Sequence, residues 1–264
     1  MNARPRQWLR VLARWGYAAR GVVYLLTGGL ALLAALGTAE ETGTRGALRT
    51  LMAQDFGPLL LIVIAIGLVS HAAWRLSQSI LDADDHGLGW RGLAVRAGLL
   101  ASGLSYGALA LYALGLAGLA GAGSGGGGND AVAMLVALTG SWAGTIILSL
   151  VFAAIAVAHG WKALTAGYTK FVHPPARFEN AVHLVSIGGL LARGAVFAAI
   201  AFLLWARRID YGARDMPDTE TVLTWTENLP GGAAVLAGLG VGLILFCLYS
   251  FAEAAWREVR LPST

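Results

Sequence analysis

Six stretches of this chain, at about 17–36, 58–76, 97–119, 143–164, 184–206 and 233–255, are nearly continuous runs of apolar residues. Each is close to the roughly 20 residues that an α-helix needs to cross about 30 Å of hydrocarbon. The composition agrees. Of 264 residues 57% are hydrophobic and only 13% charged, against about 25% charged in an ordinary soluble domain. The sequence therefore predicts an all-α integral membrane protein with six transmembrane helices, a single membrane domain over 1–264.

The formal charge of +4 does not point to nucleic acid, because of where the basic residues sit. Those of the amino-terminal segment, the second-to-third and fourth-to-fifth loops and the tail gather on one side. Only Arg45, Arg49, Arg207, Arg208 and Arg214 of 19 fall in the alternate loops. By the positive-inside rule both termini are expected in the cytoplasm. The amino-terminal segment has no small-residue cleavage site of the signal-peptide kind, so it is expected to stay attached. Trp8, Val11, Leu12 and Trp15 share one helical side and Arg6, Arg10 and Arg14 the other, as in an interfacial helix leading into the first span. Cys247 has no partner in the chain, which excludes a disulfide and reads as a small buried hydrophobe.

The spans repeat. The odd ones begin GYAARGVVY at Gly16, GLLASGLSY at Gly98 and GLLARGAVF at Gly189. The even ones align without gaps from Gly57, Gly144 and Gly232, each followed at one fixed distance by an aromatic, Trp74, Trp161 and Tyr249. Two independent anchors thus give one period, with repeats at 8–84, 90–172 and 178–260. Each unit has two spans, so all three start on the same side. They are expected as three parallel-repeat hairpins around a pseudo-three-fold axis. Short interfacial helices, expected flat on the outer surface, would precede each even span, capped by Thr44, Asn129 and Asp218 or Thr219.

The GYAARGVVY segment, its relatives at Gly98 and Gly189, and AGYTKF at Ala166 resemble the bacterial membrane family called domain of unknown function 1206. The resemblance covers nearly the whole chain. It implies a bacterial plasma-membrane location and no established activity, so it supplies no site residues. The second copy departs from the pattern with Ser102 where the others carry Arg20 and Arg193.

Arg20 and Arg193 lie a turn or two inside their spans, where a charge facing lipid is costly. They either snorkel to head groups or line a cytoplasm-facing cavity for an anion or lipid phosphate. At equivalent places on the even spans stand Gln78, Thr165 and Glu253. Glu253, the one acid of this inner set, is expected to pair with Arg20 or Arg193, as a structural clasp or, in a sharper reading, as part of a proton or cation relay. His71 and His159 are a haem-ligand alternative. However, the repeat turns them about 100° apart on their helices, and no cofactor or metal is expected.

GAGSGGGGND lacks the Gly-Lys-Ser/Thr of a phosphate loop and reads as a linker. Gly103 with Gly107, and Gly238 with Gly242, have the four-residue spacing of close helix contacts. Ser70 and His71 point about 100° apart and form no catalytic dyad. No catalytic constellation is present. The expected function is a non-enzymatic membrane protein binding membrane lipid, through a head group, or a small anion, at Arg20, Arg193, Glu253, Gln78, Thr165 and Ser102. A channel along the axis and a haem-binding redox protein are the alternatives. The spans offer few polar groups to wet a pore.

Overall fold

The computed structural model describes residues 4–38, 43–119, 138–206 and 219–258. Apolar runs interrupted by little except glycine fold as helices: α1 (Arg4–Ala35), α2 (Thr44–Met52), α3 (Gly57–Leu81), α4 (Trp90–Leu116), α5 (Ser141–Leu164), α6 (Glu179–Ala206), α7 (Thr219–Glu227) and α8 (Gly232–Trp256). Among the described residues the one β-type pairing is a bridge between Val172 and Arg257. All but α2 and α7 are long and apolar enough to cross a membrane, which marks a multi-pass membrane protein. The glycine-rich run, Asn129, Asp218, Arg207, Arg208 and Arg214 lie outside the described residues, as do the side chains of Arg6 and Trp8.

The amino-terminal segment is helical and leads into the first span. It is the first turns of α1, continuous into the first span, because nothing between Pro5 and the span breaks the backbone ladder. Val11, Arg14 and Trp15 are exposed on it. Thr44 is likewise the first helical residue of α2 and not its cap; the cap is Gly43, without a side-chain bond. A Cβ at Gly43 would stand 2.6 Å from the Glu220 nitrogen, so contact between α2 and α7 leaves no room for a capping side chain. Both short helices are packed in: Leu48 of α2 and Leu223 of α7 are fully buried.

The long helices pack in the order α4, α3, α1, α8, α6, α5, with the α1–α8 seam in the middle and the most extensive. Glycines set how close the seams come. At Gly28 an added Cβ would meet the Gly240 carbonyl at 2.8 Å, and at Gly240 the Gly28 carbonyl at 3.0 Å. At Gly16 it would fall 2.5 Å from the His71 Cα, joining α1 to α3, and at Gly189 it would fall 2.5 Å from the Phe246 Cα, joining α6 to α8. A mid-helix glycine costs about 1 kcal/mol relative to alanine, a cost offset here by backbone contact that any larger residue prevents.

The two ends of the order behave differently. Among the described residues α4 and α5 have no packing on each other comparable to that of the other neighbours. Of their apolar windows 22% and 17% are buried, against 44–50% for the other four spans. Gly98, which the sequence aligns with Gly16 and Gly189, has nothing within 4 Å of an added Cβ.

Candidate functional site

The buried charged residues, Arg20, Glu253 and Arg257, collect near the end of the bundle where α1 starts and α8 stops. A continuous chain of hydrogen bonds runs through them. Arg20, only 3% exposed, donates from Nε to Ser250 Oγ at 3.0 Å and from Nη2 to Glu253 Oε2 at 2.5 Å. Glu253 accepts a second guanidinium through Oε1, from Arg257 Nη1 at 2.9 Å. Arg257 Nη2 then donates to Asp84 Oδ2 at 3.0 Å, and Gln78 Nε2 donates to the same oxygen at 2.6 Å. Arg75 Nη1 closes the chain on Gln78 Oε1 at 3.3 Å.

Tyr17 sits at the centre of this chain. Its ring, fully buried, is 5.0 Å from the Arg20 guanidinium carbon, 5.7 Å from that of Arg75 and 5.5 Å from that of Arg257. Its hydroxyl accepts the Trp74 indole N–H at 3.0 Å. Three guanidinium groups stand around one fully buried aromatic ring, whose faces attract positive charge.

The acids do not balance the bases. Glu253 and Asp84 answer Arg20 and Arg257, while Arg75, Lys162 and Arg193 reach no carboxylate among the described residues. Lys162 donates to Tyr249 Oη at 2.8 Å and lies within electrostatic reach of Glu253, Arg257, Arg75 and Arg20. The Arg193 guanidinium carbon is 4.6 Å from the Tyr24 ring, 4.7 Å from Phe197 and 5.2 Å from Phe246. Arg20 stands 5.0 Å from the same Phe246 ring. Arg257, just past the last span, stays charged despite its burial, because burial, which lowers its pKa, is outweighed by Tyr17, Glu253 and Asp84.

The site residues expected from sequence divide into two groups. Arg20, Glu253 and Gln78 belong to the hydrogen-bonded chain, and Glu253 takes Arg20 but not Arg193. Thr165 does not join: it is exposed at the end of α5, its hydroxyl on the Trp161 carbonyl at 2.7 Å. Ser102 is half-buried on α4 and is not part of the chain. Trp161, expected to match Trp74 and Tyr249, is 70% exposed. All three departures lie on α4 or α5, beside the missing contact.

Sequence reasoning passed over Arg257, Asp84, Arg75 and Lys162, which read as loop or helix-end charges. The Glu253 to Arg257 spacing of four was the available signal. The tail turns back because the Glu258 N–H donates to the Phe171 carbonyl at 2.8 Å and the His173 N–H to the Trp256 carbonyl at 3.1 Å. That carries Arg257 inward. The loop bearing Asp84 is pinned by Asp82, whose carboxylate accepts the N–H groups of His86 at 2.8 Å and Gly87 at 2.7 Å. Those bonds, with Arg96 at 3.8 Å, hold its pKa below the usual value.

His71 and His159 each have partners of their own. His71 is fully buried, edge-on to Tyr17 at 5.2 Å and to Tyr106 at 4.5 Å. One ring nitrogen of His159 is held by the Ile155 carbonyl at 2.9 Å. Ser70 donates to the Ile66 carbonyl instead of to a base.

The family described as Domain of Unknown Function (DUF1206) matches this chain twice, at residues 15–82 and 188–257, together just over half its length. The chain belongs to the DUF1206 family. The first DUF1206 segment holds Arg20, Arg75 and Gln78, and the second holds Arg193, Glu253 and Arg257; the middle of the chain, with Ser102, is outside both. An uncharacterized protein of Bacillus subtilis (strain 168), YxxB, is 28% identical over 257 residues, 96% of this chain and 93% of that one. No solved structure matches the chain.

Proposed function

We propose that this protein is a non-enzymatic resident of the bacterial plasma membrane, with both termini in the cytoplasm, that holds an anionic phosphate-like group at its buried basic cluster. The group is a lipid head group or a small anion. The observation that carries this reading is the Arg193 guanidinium, half-buried against three rings and reaching no carboxylate among the described residues. Arg75 and Lys162 share that condition. An ionised side chain withdrawn from water normally has a counter-charge, and basic pockets between spans on the cytoplasmic side suit anionic head groups.

Arg20 and Glu253 form the clasp that shapes the cluster; Arg193, Lys162 and Arg75 supply the free positive charge. The repeats at 8–84, 90–172 and 178–260 fit this view. The first and third bring paired arginine and glycine positions to one centre, and the second contributes Lys162 in place of an arginine at Ser102.

Phosphate binding by calorimetry in detergent tests the reading. Charge-assisted hydrogen bonds contribute about 1.5–3 kcal/mol each, so Arg193→Gln with Lys162→Gln is expected to weaken phosphate at least about tenfold and to strip co-purifying anionic lipid. Unchanged binding in that variant rules the site out.

A further inference from the structure

The pairing of Arg257 with Asp84 stops halfway. A guanidinium edge and a carboxylate frequently meet in two parallel hydrogen bonds. Here Arg257 Nη2 donates to Asp84 Oδ2 at 3.0 Å, while Arg257 Nε and Asp84 Oδ1 have no hydrogen-bond partner among the described residues. The two side chains are only 5% and 4% exposed. Two side chains already in contact thus leave one donor and one acceptor unmade, each at the cost of a buried polar group without a partner.

A third buried atom is in the same condition. Arg75 Nε donates to His71 Nε2 at 3.4 Å. An arginine has no acceptor to offer, so Nε2 carries the lone pair and the ring hydrogen of His71 is on Nδ1. That N–H has no partner among the described residues either, and His71 is fully buried. His71, Arg75 and Arg257 all border the Tyr17 ring, at 5.2, 5.7 and 5.5 Å. Around one ring stand two unspent donors and an arginine that reaches no carboxylate, and the Asp84 oxygen adjoins them through Arg257.

The surplus of positive charge suits an anion, but a fully ionised one would set its oxygen against Asp84 Oδ1. We propose that the anion held here carries its own proton: a phosphate or phosphomonoester whose P–OH donates to Asp84 Oδ1 while its ionised oxygens accept from Arg257 Nε and His71 Nδ1. The inference rests on the anion reading above and adds the chemical form of the ligand. Sulfate has the same shape and, near neutral pH, no hydrogen to give; a phosphodiester has none either. A site with a buried polar group rejects an analogue that leaves that group unpaired. A water molecule meets a donor and an acceptor and leaves the charge of Arg75 unanswered.

The test is calorimetry on the full chain in detergent near neutral pH, with inorganic phosphate, sulfate and dimethyl phosphate. Phosphate is expected to bind at least about tenfold more tightly than either of the others. In Asp84→Asn an amide donates where the carboxylate accepts, and the preference for phosphate over sulfate is expected to disappear. Equal affinity for phosphate and dimethyl phosphate in wild type overturns the proposal without any substitution, as does an unchanged preference in Asp84→Asn. The two sources of such a ligand are separated in vesicles of phosphatidic acid and phosphatidylglycerol, by native mass spectrometry of retained lipid. Preferential retention of phosphatidic acid, a phosphomonoester, assigns the ligand to the bilayer; phosphate selection with neither lipid retained assigns it to solution. Phosphatidylglycerol, a phosphodiester, retained as strongly as phosphatidic acid overturns the proposal. A wild type that binds none of the three anions and neither lipid brings down the anion reading itself, whereas phosphate and sulfate bound alike overturn only the proton-bearing form.

Discussion

Lys162 of α5 donates to the phenolic oxygen of Tyr249 on α8 at 2.8 Å. That bond gives its ammonium a neutral partner. Tyr249→Phe removes the acceptor and is expected to cost about 1–3 kcal/mol, the penalty for a buried polar group left unmade. Phosphate should then stabilise the variant more than wild type, because a ligand of the folded state adds stability in proportion to its affinity. Thermal unfolding in detergent with and without phosphate measures both; equal phosphate shifts in the two proteins count against Lys162 as an anion contact.

Glu253 is the acid on which two guanidinium groups depend. Glu253→Gln leaves Arg20 and Arg257 without full counter-charge and is expected to destabilise by about 3–5 kcal/mol. Asp84→Asn, whose carboxylate meets one guanidinium, that of Arg257, beside the Gln78 amide, is expected to cost less. Thermal unfolding of the two variants ranks them, and a larger loss for Asp84→Asn reverses the assignment.

The glycines of the seams give a sharper contrast. Gly16→Ala and Gly189→Ala force a methyl to within 2.5 Å of a neighbouring backbone and are each expected to destabilise by several kcal/mol. Gly98→Ala, with open space beside it, is expected to be neutral or stabilising by up to about 1 kcal/mol through helix propensity. Melting shifts of the same sign and size at all three positions count against the close approach at Gly16 and Gly189.

Asp82 supplies a pH dependence outside the spans. Its carboxyl pKa is lowered by the N–H of His86, by that of Gly87 and by Arg96. A depressed folded pKa means the stabilisation is present above the unfolded value, about 3.9 for aspartate, and is lost as pH falls through the lower folded value. Hydrogen exchange at the His86 and Gly87 amides is expected to accelerate over that acidic range and to be fast already at neutral pH in Asp82→Ala. Protection in that variant equal to wild type removes Asp82 from the loop's support.

The sequence announced the spans because an apolar run of membrane length has few other uses. It also gave Glu253 a partner in Arg20 or Arg193, since the repeat alignment left one acid among the inner positions; the choice of Arg20 is made by the packing of α1 on α8. What it hid was carried by chain reversals. Arg257 and Asp84 lie beyond their spans, and only the fold of the tail against Phe171 and the Asp82 turn brings them together. Lys162 looked like an orientation charge, because its reach to Tyr249 depends on how α5 sits. Thr165 and Ser102 stand apart from the hydrogen-bonded chain because alignment assumes that every copy packs alike, and α4 and α5 are less buried than their counterparts.

The glycine contact between Gly28 and Gly240 belongs to the α1–α8 seam, the middle of the helix order. Each backbone carbonyl lies where the other residue's side chain would stand, so a Cβ at either position pushes α1 and α8 apart. The Arg20–Glu253 bond spans the same two helices, which makes the geometry of the charged clasp depend on two residues that have no side chains of their own.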